Sequence, residues 1–570
     1  MSASCTYEQP VLGNPRANPE SRLAVVSMPV PLGSTPPASL DDLPTQTVPI
    51  GIWPGSLAGE PDTVRRQLMF CVSTESLPET LTPGTEAPAT QPYSGPEVGV
   101  EVVSKKNTGI VLREINEAVF THHGQTFGLR MGLVHDGETH WWEWVRAEEL
   151  WSGPVCRAVR LGGFIPVKVH GDEHLEGLQG TLESEELHRH NWLRGDVVAW
   201  LFTNGVIRLT CRHINNHLFD HGRDLEDVLP VIGFRMSDPP DIATDLDGTN
   251  TRFEWNGLEL NLDGAADLVG PDHPGRLERR DGLVIYQPYD GVEIHGDSHR
   301  RERDDGFICR AEEKLFPKGV AKTVPFSLSM GEAAPEISRL VVPDYWYALC
   351  GDLWPDGALP AHEEDGDRIL KQLEASVERR AEERPRSFDN SVLVREVWEG
   401  EIAYSQMLYY YLSGDPKYLD ISLTDAYHNA DIGFDHATET IRMHNYPFGA
   451  IAPPLYRTVS MLFGYLETGD PYLRECAESA AIRYYWIDRH NWPRRSYGRD
   501  AASLRSLIFL WDYTGNEDYL DFAREALHRC IQCQREDGSY GDQGGAVGLC
   551  GGVANEITKP WMALLASDPM

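Results

Sequence analysis

The sequence has no apolar run of about 18 residues or more, so no membrane-spanning helix is read in it. Its opening, MSASCTYEQPVLGNPRANPES, lacks the basic start and apolar stretch of a secretory signal, and its localisation stays open. There is no Walker loop, no strand-linked G-x-G-x-x-G and no G-x-S-x-G. Lysines are few and most basic residues are Arg. With 51 basic against 87 acidic residues the net charge is −36, which repels phosphates and anionic lipid. Neither nucleic acid nor membrane insertion is therefore expected. Such a surface also suits concentrated salt, which screens its self-repulsion. Ten cysteines are scattered, and only Cys530 and Cys533 form a C-x-x-C pair, inside a helical pattern. They read as buried thiols, and no metal or cofactor is called for.

What is present divides by character. Residues 1–44 are rich in Pro, Ser, Asn and Gly and read as an extended tail. From Thr45 to about residue 350 the pattern is β, in short runs of β-branched and aromatic residues broken by Gly, Asn and Asp. In VVAWLFTNGVIRLTCRHI, Asn204-Gly205 marks a hairpin, because a tight turn needs positive φ. So many strands exceed one sandwich. We expect a barrel-like domain over 45–190 and a β-sandwich over 191–350. Trp141, Trp142, Trp144 and Trp151 read as core. Asp245, Asp247 and Asn250 alternate oxygen ligands but lack the distal Glu of an EF-hand, so a turn is read there, with calcium as the alternative.

Over 351–570 helices alternate with loops, and a unit repeats. EIAYSQMLYYYLSGDPKYLD, LYRTVSMLFGYLETGDPYLR and SLRSLIFLWDYTGNEDYLDF each give an apolar helix, a Gly-Asp or Gly-Asn step, and a second helix. Gly414, Gly469 and Gly515 are 469 − 414 = 55 and 515 − 469 = 46 residues apart. Gly suits the left-handed position after a helix, Asp415, Asp470 and Asn516 suit the next N-cap, and Pro416 and Pro471 suit a first turn. Helical hairpins at this period stack, and the more apolar first helices predict an inner ring: an α/α toroid, possibly incomplete. The fold class is thus multidomain β + α, two antiparallel β domains followed by the toroid. Inner helices should begin near Ile402, Tyr456 and Ala502.

In such a ring the links between hairpins share one face. They hold His444, Asn445, Tyr446, His490, Asn491, Trp492, Arg494, Arg495, Tyr497, Arg499, Asp500 and Tyr540, whereas the Gly turns hold nothing comparable. Aromatic faces stack on sugars, and Arg grips carboxylates. A polysaccharide or oligosaccharide is therefore the expected partner, and cleavage of an acidic glycan by β-elimination the expected reaction. Arg494, Arg495 or Arg499 would neutralise a uronate, with Asn445, Asn491, Trp492 and Tyr540 also binding substrate. His444 or His490 would take the proton, Tyr446 or Tyr497 would return one, and Asp500 completes the catalytic set. Hydrolysis is the alternative, with carboxylates drawn from Asp500, Asp537, Asp542, Glu399 and Glu401. Non-catalytic glycan binding is the other.

The order of parts resembles the exo-rhamnogalacturonan lyase-like proteins. The matching pieces are VPIGIWPGSL, WSGPVCRAVRLGG, DVVAWLFTNGVIRLTCRH, KLFPKGVAKTVPFSL and the hairpin repeats. That resemblance implies a barrel-like domain, a central sandwich, a toroid and glycan-active chemistry. It transfers no catalytic residue.

Overall fold

The computed structural model describes residues 9–15, 21–56, 59–88, 92–108, 111–135, 137–165, 193–215, 225–226, 229–245, 251–262, 275–288, 315–316, 319–331, 334–353, 371, 374, 375, 378, 402–441, 458–491 and 502–532. It is a β + α protein, with sheets followed by C-terminal helices.

The first sheet runs in the order Ser338–Arg339, Leu23–Pro29, Thr63–Val72, Thr45–Trp53. Leu23–Pro29 is buried at every position, so the stretch expected to be an extended tail supplies a sheet strand. Its sequence, LAVVSMP, is apolar on both faces because both faces are covered. The Pro- and Asn-rich residues around it hid the run.

Two larger sheets pack face to face. One has eight strands and includes Glu97–Thr108, Val111–His122, Gln125–His135, Leu229–Arg235, Leu283–Gln287 and Arg276–Arg280. The other has seven and includes Glu143–Ser152, Cys156–Ile165, Leu193–Phe202, Val206–Asn215 and Ala321–Ser329. The boundary expected near residue 190 falls inside this sheet: Cys156–Ile165 pairs with Leu193–Phe202 at every position. One sandwich therefore spans most of the β region. Gly205 has φ 88 at the tight turn joining Leu193–Phe202 to Val206–Asn215, as its Asn-Gly signal predicts. Leu193–Phe202 is buried on both faces. Val197, Ala199 and Leu201 enter the sandwich core, while Val198, Trp200 and Phe202 join a second core shared with the first sheet and the helices. Trp142 and Trp144 are sandwich core, Trp151 stacks on Trp200 at 5.0 Å, and Trp141 lies outside that core.

His213 also points into the sandwich, edge-on to Trp142, with Nε2 3.3 Å from the Val231 carbonyl oxygen. Burial lowers its pKa from 6.5 to about 4. On acidification the unfolded chain takes up a proton before the folded one. His213 therefore contributes stability above about pH 6.5 that is lost as pH falls towards 4, about 3 kcal/mol over the window. Chemical-denaturation midpoints from pH 7.5 to 4.5 should fall more steeply in the wild type than in His213→Phe. Parallel curves would exclude this role.

The helices are α1 (Asp344–Leu349), α2 (Ile402–Ser413), α3 (Pro416–His428), α4 (Thr458–Thr468), α5 (Pro471–Asn491), α6 (Ala502–Thr514) and α7 (Glu517–Gln532). They include the three expected hairpins, α2–α3, α4–α5 and α6–α7, whose first helices are described from Ile402, Thr458 and Ala502 onward. Gly414, Gly469 and Gly515 have φ of 66, 70 and 65, and each donates its N–H to the preceding helix. Asp415, Asp470 and Asn516 accept from the backbone N–H two residues on. The first helices of the hairpins meet through aromatic rings: Tyr404–Phe463 at 4.8 Å, Phe463–Tyr513 at 5.2 Å and Phe463–Phe509 at 6.0 Å. Lys371, Glu374, Ala375 and Glu378 are helical too, and Glu378 accepts from Lys417 at 3.1 Å on the flank of the first hairpin.

Candidate functional site

The helical layer has two ends, and they differ in chemistry. At the Gly-turn end the hairpins dock on the sheets. A Cβ at Gly469 would lie 2.4 Å from Leu68 and 3.2 Å from Trp200, and one at Gly515 would lie 2.4 Å from Ile52. Here the strand Thr63–Val72 inserts two guanidinium groups. Arg66, fully buried, donates to Asp352 at 2.6 Å, to Tyr411 Oη at 2.8 Å, to Ser27 Oγ at 2.8 Å and to Glu467. Arg65 lies between the rings of Trp53 and Tyr513, 4.1 and 3.7 Å from their centroids, and pairs with Asp512 and Asp352. Tyr513 Oη donates to Asp352 at 2.6 Å, and Tyr347 stacks on Tyr411 at 4.0 Å.

Residues from α1, α2, α4 and α6 thus converge on one strand. The C-terminal ends of α2, α4 and α6 are electronegative, and guanidinium groups answer that field. Burial acts to lower the Arg66 pKa, but Tyr411, Asp352 and Glu467 outweigh it and hold the group firmly charged. Arg66, Asp352 and Glu467 are closed to solvent, and only the rim of the cluster, at Asp512, is partly exposed, so it fastens the helices to the sheet.

A second buried group follows α3. One turn of π-helix, Asn429–Gly433, turns Asp431 towards the Ala321–Ser329 strand, where it accepts from Thr323 N at 2.7 Å and Oγ1 at 2.8 Å. Tyr472 Oη donates to Asp431 at 2.7 Å and lies 3.0 Å from His436 Nε2. Burial raises the Asp431 pKa against the lowering effect of the Tyr472 and Thr323 hydrogen bonds. The trio has the side chains of a catalytic group, but Asp431, Tyr472 and His436 are exposed by only 0%, 3% and 7%. It anchors a turn. Beside it Arg212 joins Asp196 at 3.0 Å and Asp470, seating the middle hairpin on the sandwich.

At the opposite, link end the described residues reach only part of the set expected to act. His490 and Asn491 are the last two residues of α5. His444, Asn445, Tyr446, Trp492, Arg494, Arg495, Tyr497, Arg499, Asp500 and Tyr540 lie outside the described residues, as do Glu399, Glu401, Asp537 and Asp542. Asp247 and Asn250, the other members of the weak calcium signal, lie outside them too. Around the link ends of α2, α4 and α6 stand Tyr404, Thr458, Arg505 and Ser506. Thr458 and Ser506 hydrogen-bond each other across α4 and α6. The Arg505 guanidinium lies 5.6 Å from the Tyr404 ring and 5.8 Å from Phe509. Sequence reasoning missed Arg505. Its signal is a basic residue within the first turns of an otherwise apolar helix, LRSLIFLWDY. The buried Arg65-Arg66 pair was equally legible in RRQLMFCV. No group of three or more metal-ligating side chains occurs among the described residues, and no described helix is long and apolar enough to cross a membrane.

No protein-family description matches the chain, and no curated protein matches it in sequence. The likeness to the exo-rhamnogalacturonan lyase-like proteins therefore rests on sequence motifs alone. Among solved structures the chain is similar to an alpha-mannosidase from Enterococcus faecalis V583, at 12% identity and a TM-score of 0.31, over 56% of this chain and 43% of that one. It is also similar to a protein in glycosyl hydrolase family 38 from Enterococcus faecalis, at 11% identity and a TM-score of 0.31, over 56% of this chain and 44% of that one. The chain spans less than half the length of either, and so loose a likeness carries no argument about fold or activity.

Proposed function

We propose that the protein cleaves a glycan at the link end of its helical layer. One observation carries the reading: the turn end is given over to docking, with Gly469 and Asp470 packed against the sheets and Arg66 of the sheet inserted among the helices. The link end is then where this scaffold can hold a substrate, and there Arg505 stands beside Tyr404. In this reading the helices form a toroid, with Tyr404, Phe463 and Phe509 as the floor of its cavity. The rim would be His490 at the end of α5 and the links bearing His444, Tyr446, Tyr497 and Asp500.

Arg505, with Arg494, Arg495 and Arg499, would neutralise a substrate carboxylate and make the neighbouring C–H acidic. A His then takes that proton, and a Tyr protonates the departing oxygen. Arg494, Arg495, Arg499 and Arg505 fall close together in the sequence of a protein of net charge −36, which favours this elimination. Hydrolysis by two rim carboxylates is the second chemistry. Arg505→Met tests the site. Turnover of acidic polymers should fall at least about tenfold, the loss of one oriented charge contact, with the melting midpoint unchanged. Unaltered turnover would move the site elsewhere.

A further inference from the structure

On the outward face of the eight-stranded sheet, away from the helices, Trp141 lies across two glycines. A Cβ at Gly132 or Gly233 would fall 2.8 or 2.6 Å from its ring, so only glycine lets the indole lie flat on the strands. Beneath it are Val231, Leu283 and Ile285. Trp141 itself is half-buried, unlike Trp142 beside it, which is 1% exposed. The Arg130 guanidinium sits 5.8 Å from the indole centroid.

Strand alternation shows which charges share this face. Leu129, Met131, Phe234 and Leu277 point into the sandwich, so Arg130, Arg235, Arg276 and Arg280 point outward. Glu117, buried between Arg130 and Arg235, and Glu278, beside Arg276 and Arg280, are the carboxylates paired to them. With Glu97 and Glu101 of the edge strand, which share this face, these charges sum to 4 − 4 = 0, on a protein whose total is −36. Glu97 and Glu101 stand beyond Glu117 on the edge strand.

We propose that this face is a second glycan-binding site, distinct from the link end, that takes an anionic polysaccharide. A pyranose offers an apolar face of C–H bonds to an aromatic ring and equatorial hydroxyls to flanking guanidinium groups. Its carboxylate or sulfate would sit at Arg130, Arg235 or Arg280, where Arg gives paired hydrogen bonds. A half-exposed ring seated on bare backbone is already ordered, so stacking costs little side-chain entropy.

Hydroxyl-radical footprinting of the full chain in about 0.15 M salt, where screening leaves only close contacts effective, tests the site without a mutation. Polygalacturonate and dextran sulfate are the anionic probes, and dextran is the neutral control. Oxidation of Trp141, mapped by mass spectrometry, should slow several-fold with at least one acidic polymer and not with dextran. Which polymer protects tells whether carboxylate or sulfate is read. Trp141→Leu keeps the apolar cover over Val231 and should keep the melting midpoint, yet show weaker retardation in gels containing the protecting polymer. Failure of both acidic polymers to protect Trp141, or equal protection by dextran, overturns the proposal. The footprint is local, so it reads this face whether or not the link end is catalytic.

Discussion

Arg66→Ala should destabilise the protein by about 3–5 kcal/mol, the cost of leaving buried carboxylates without their cation. Asp352 and Glu467 are 1% exposed, and both lean on Arg66. Removing the guanidinium leaves Glu467 with Arg339 at 3.2 Å and Asp352 with Arg65 at 3.7 Å, both weaker contacts. Tyr411 Oη loses its donor as well. The double variant Arg66→Met with Glu467→Met should recover part of the loss, because it removes the stranded charge and fills the space. Denaturant midpoints of the three proteins decide the matter. A loss below about 1 kcal/mol would mean that the cluster is not the fastening between sheet and helices.

The second large effect is expected at Gly469. The left-handed backbone alone penalises Gly469→Val by about 1–2 kcal/mol. Its Cβ would also overlap Leu68, and overpacking of this kind adds about 1–3 kcal/mol. The sum is about 2–5 kcal/mol. Gly414→Val meets only Val341, at 3.2 Å, and should pay the backbone strain with little more. Gly469→Val should therefore melt well below Gly414→Val. The reverse order would show that the middle hairpin is not the one seated on the sheets.

These two positions mark what a single sequence shows. The Gly-Asp steps were legible because the left-handed conformation and the cap select Gly and Asp whatever the tertiary context. Asn204-Gly205 was legible for the same reason. That Gly469 is wedged against Leu68 and Trp200 while Gly414 is not depends on docking, and the two sites read alike in sequence. The sandwich boundary was misplaced for a related reason. Pairing of Cys156–Ile165 with Leu193–Phe202 joins strands on either side of the expected boundary, and no local signal spans that gap. The strand Leu23–Pro29 was concealed by its flanks. At the candidate site, hairpin periodicity marked the link end, but Arg505 passed for an ordinary helical residue. Trp141 was grouped with its core neighbours, because side-chain direction in a strand depends on register.

The central claim is glycan cleavage at the link end. Its most direct test is product release from uronate polymers, followed by ultraviolet absorbance and by reducing ends, for the wild type, His490→Ala and Tyr497→Phe. We expect the wild type to release reducing ends, with absorbance rising in step if the bond breaks by elimination and staying flat if it is hydrolysed. Both variants should lose at least about a hundredfold in rate, the contribution of a positioned proton carrier, at an unchanged melting midpoint. No cleavage of any polymer by the wild type, or full activity in both variants, would contradict the account.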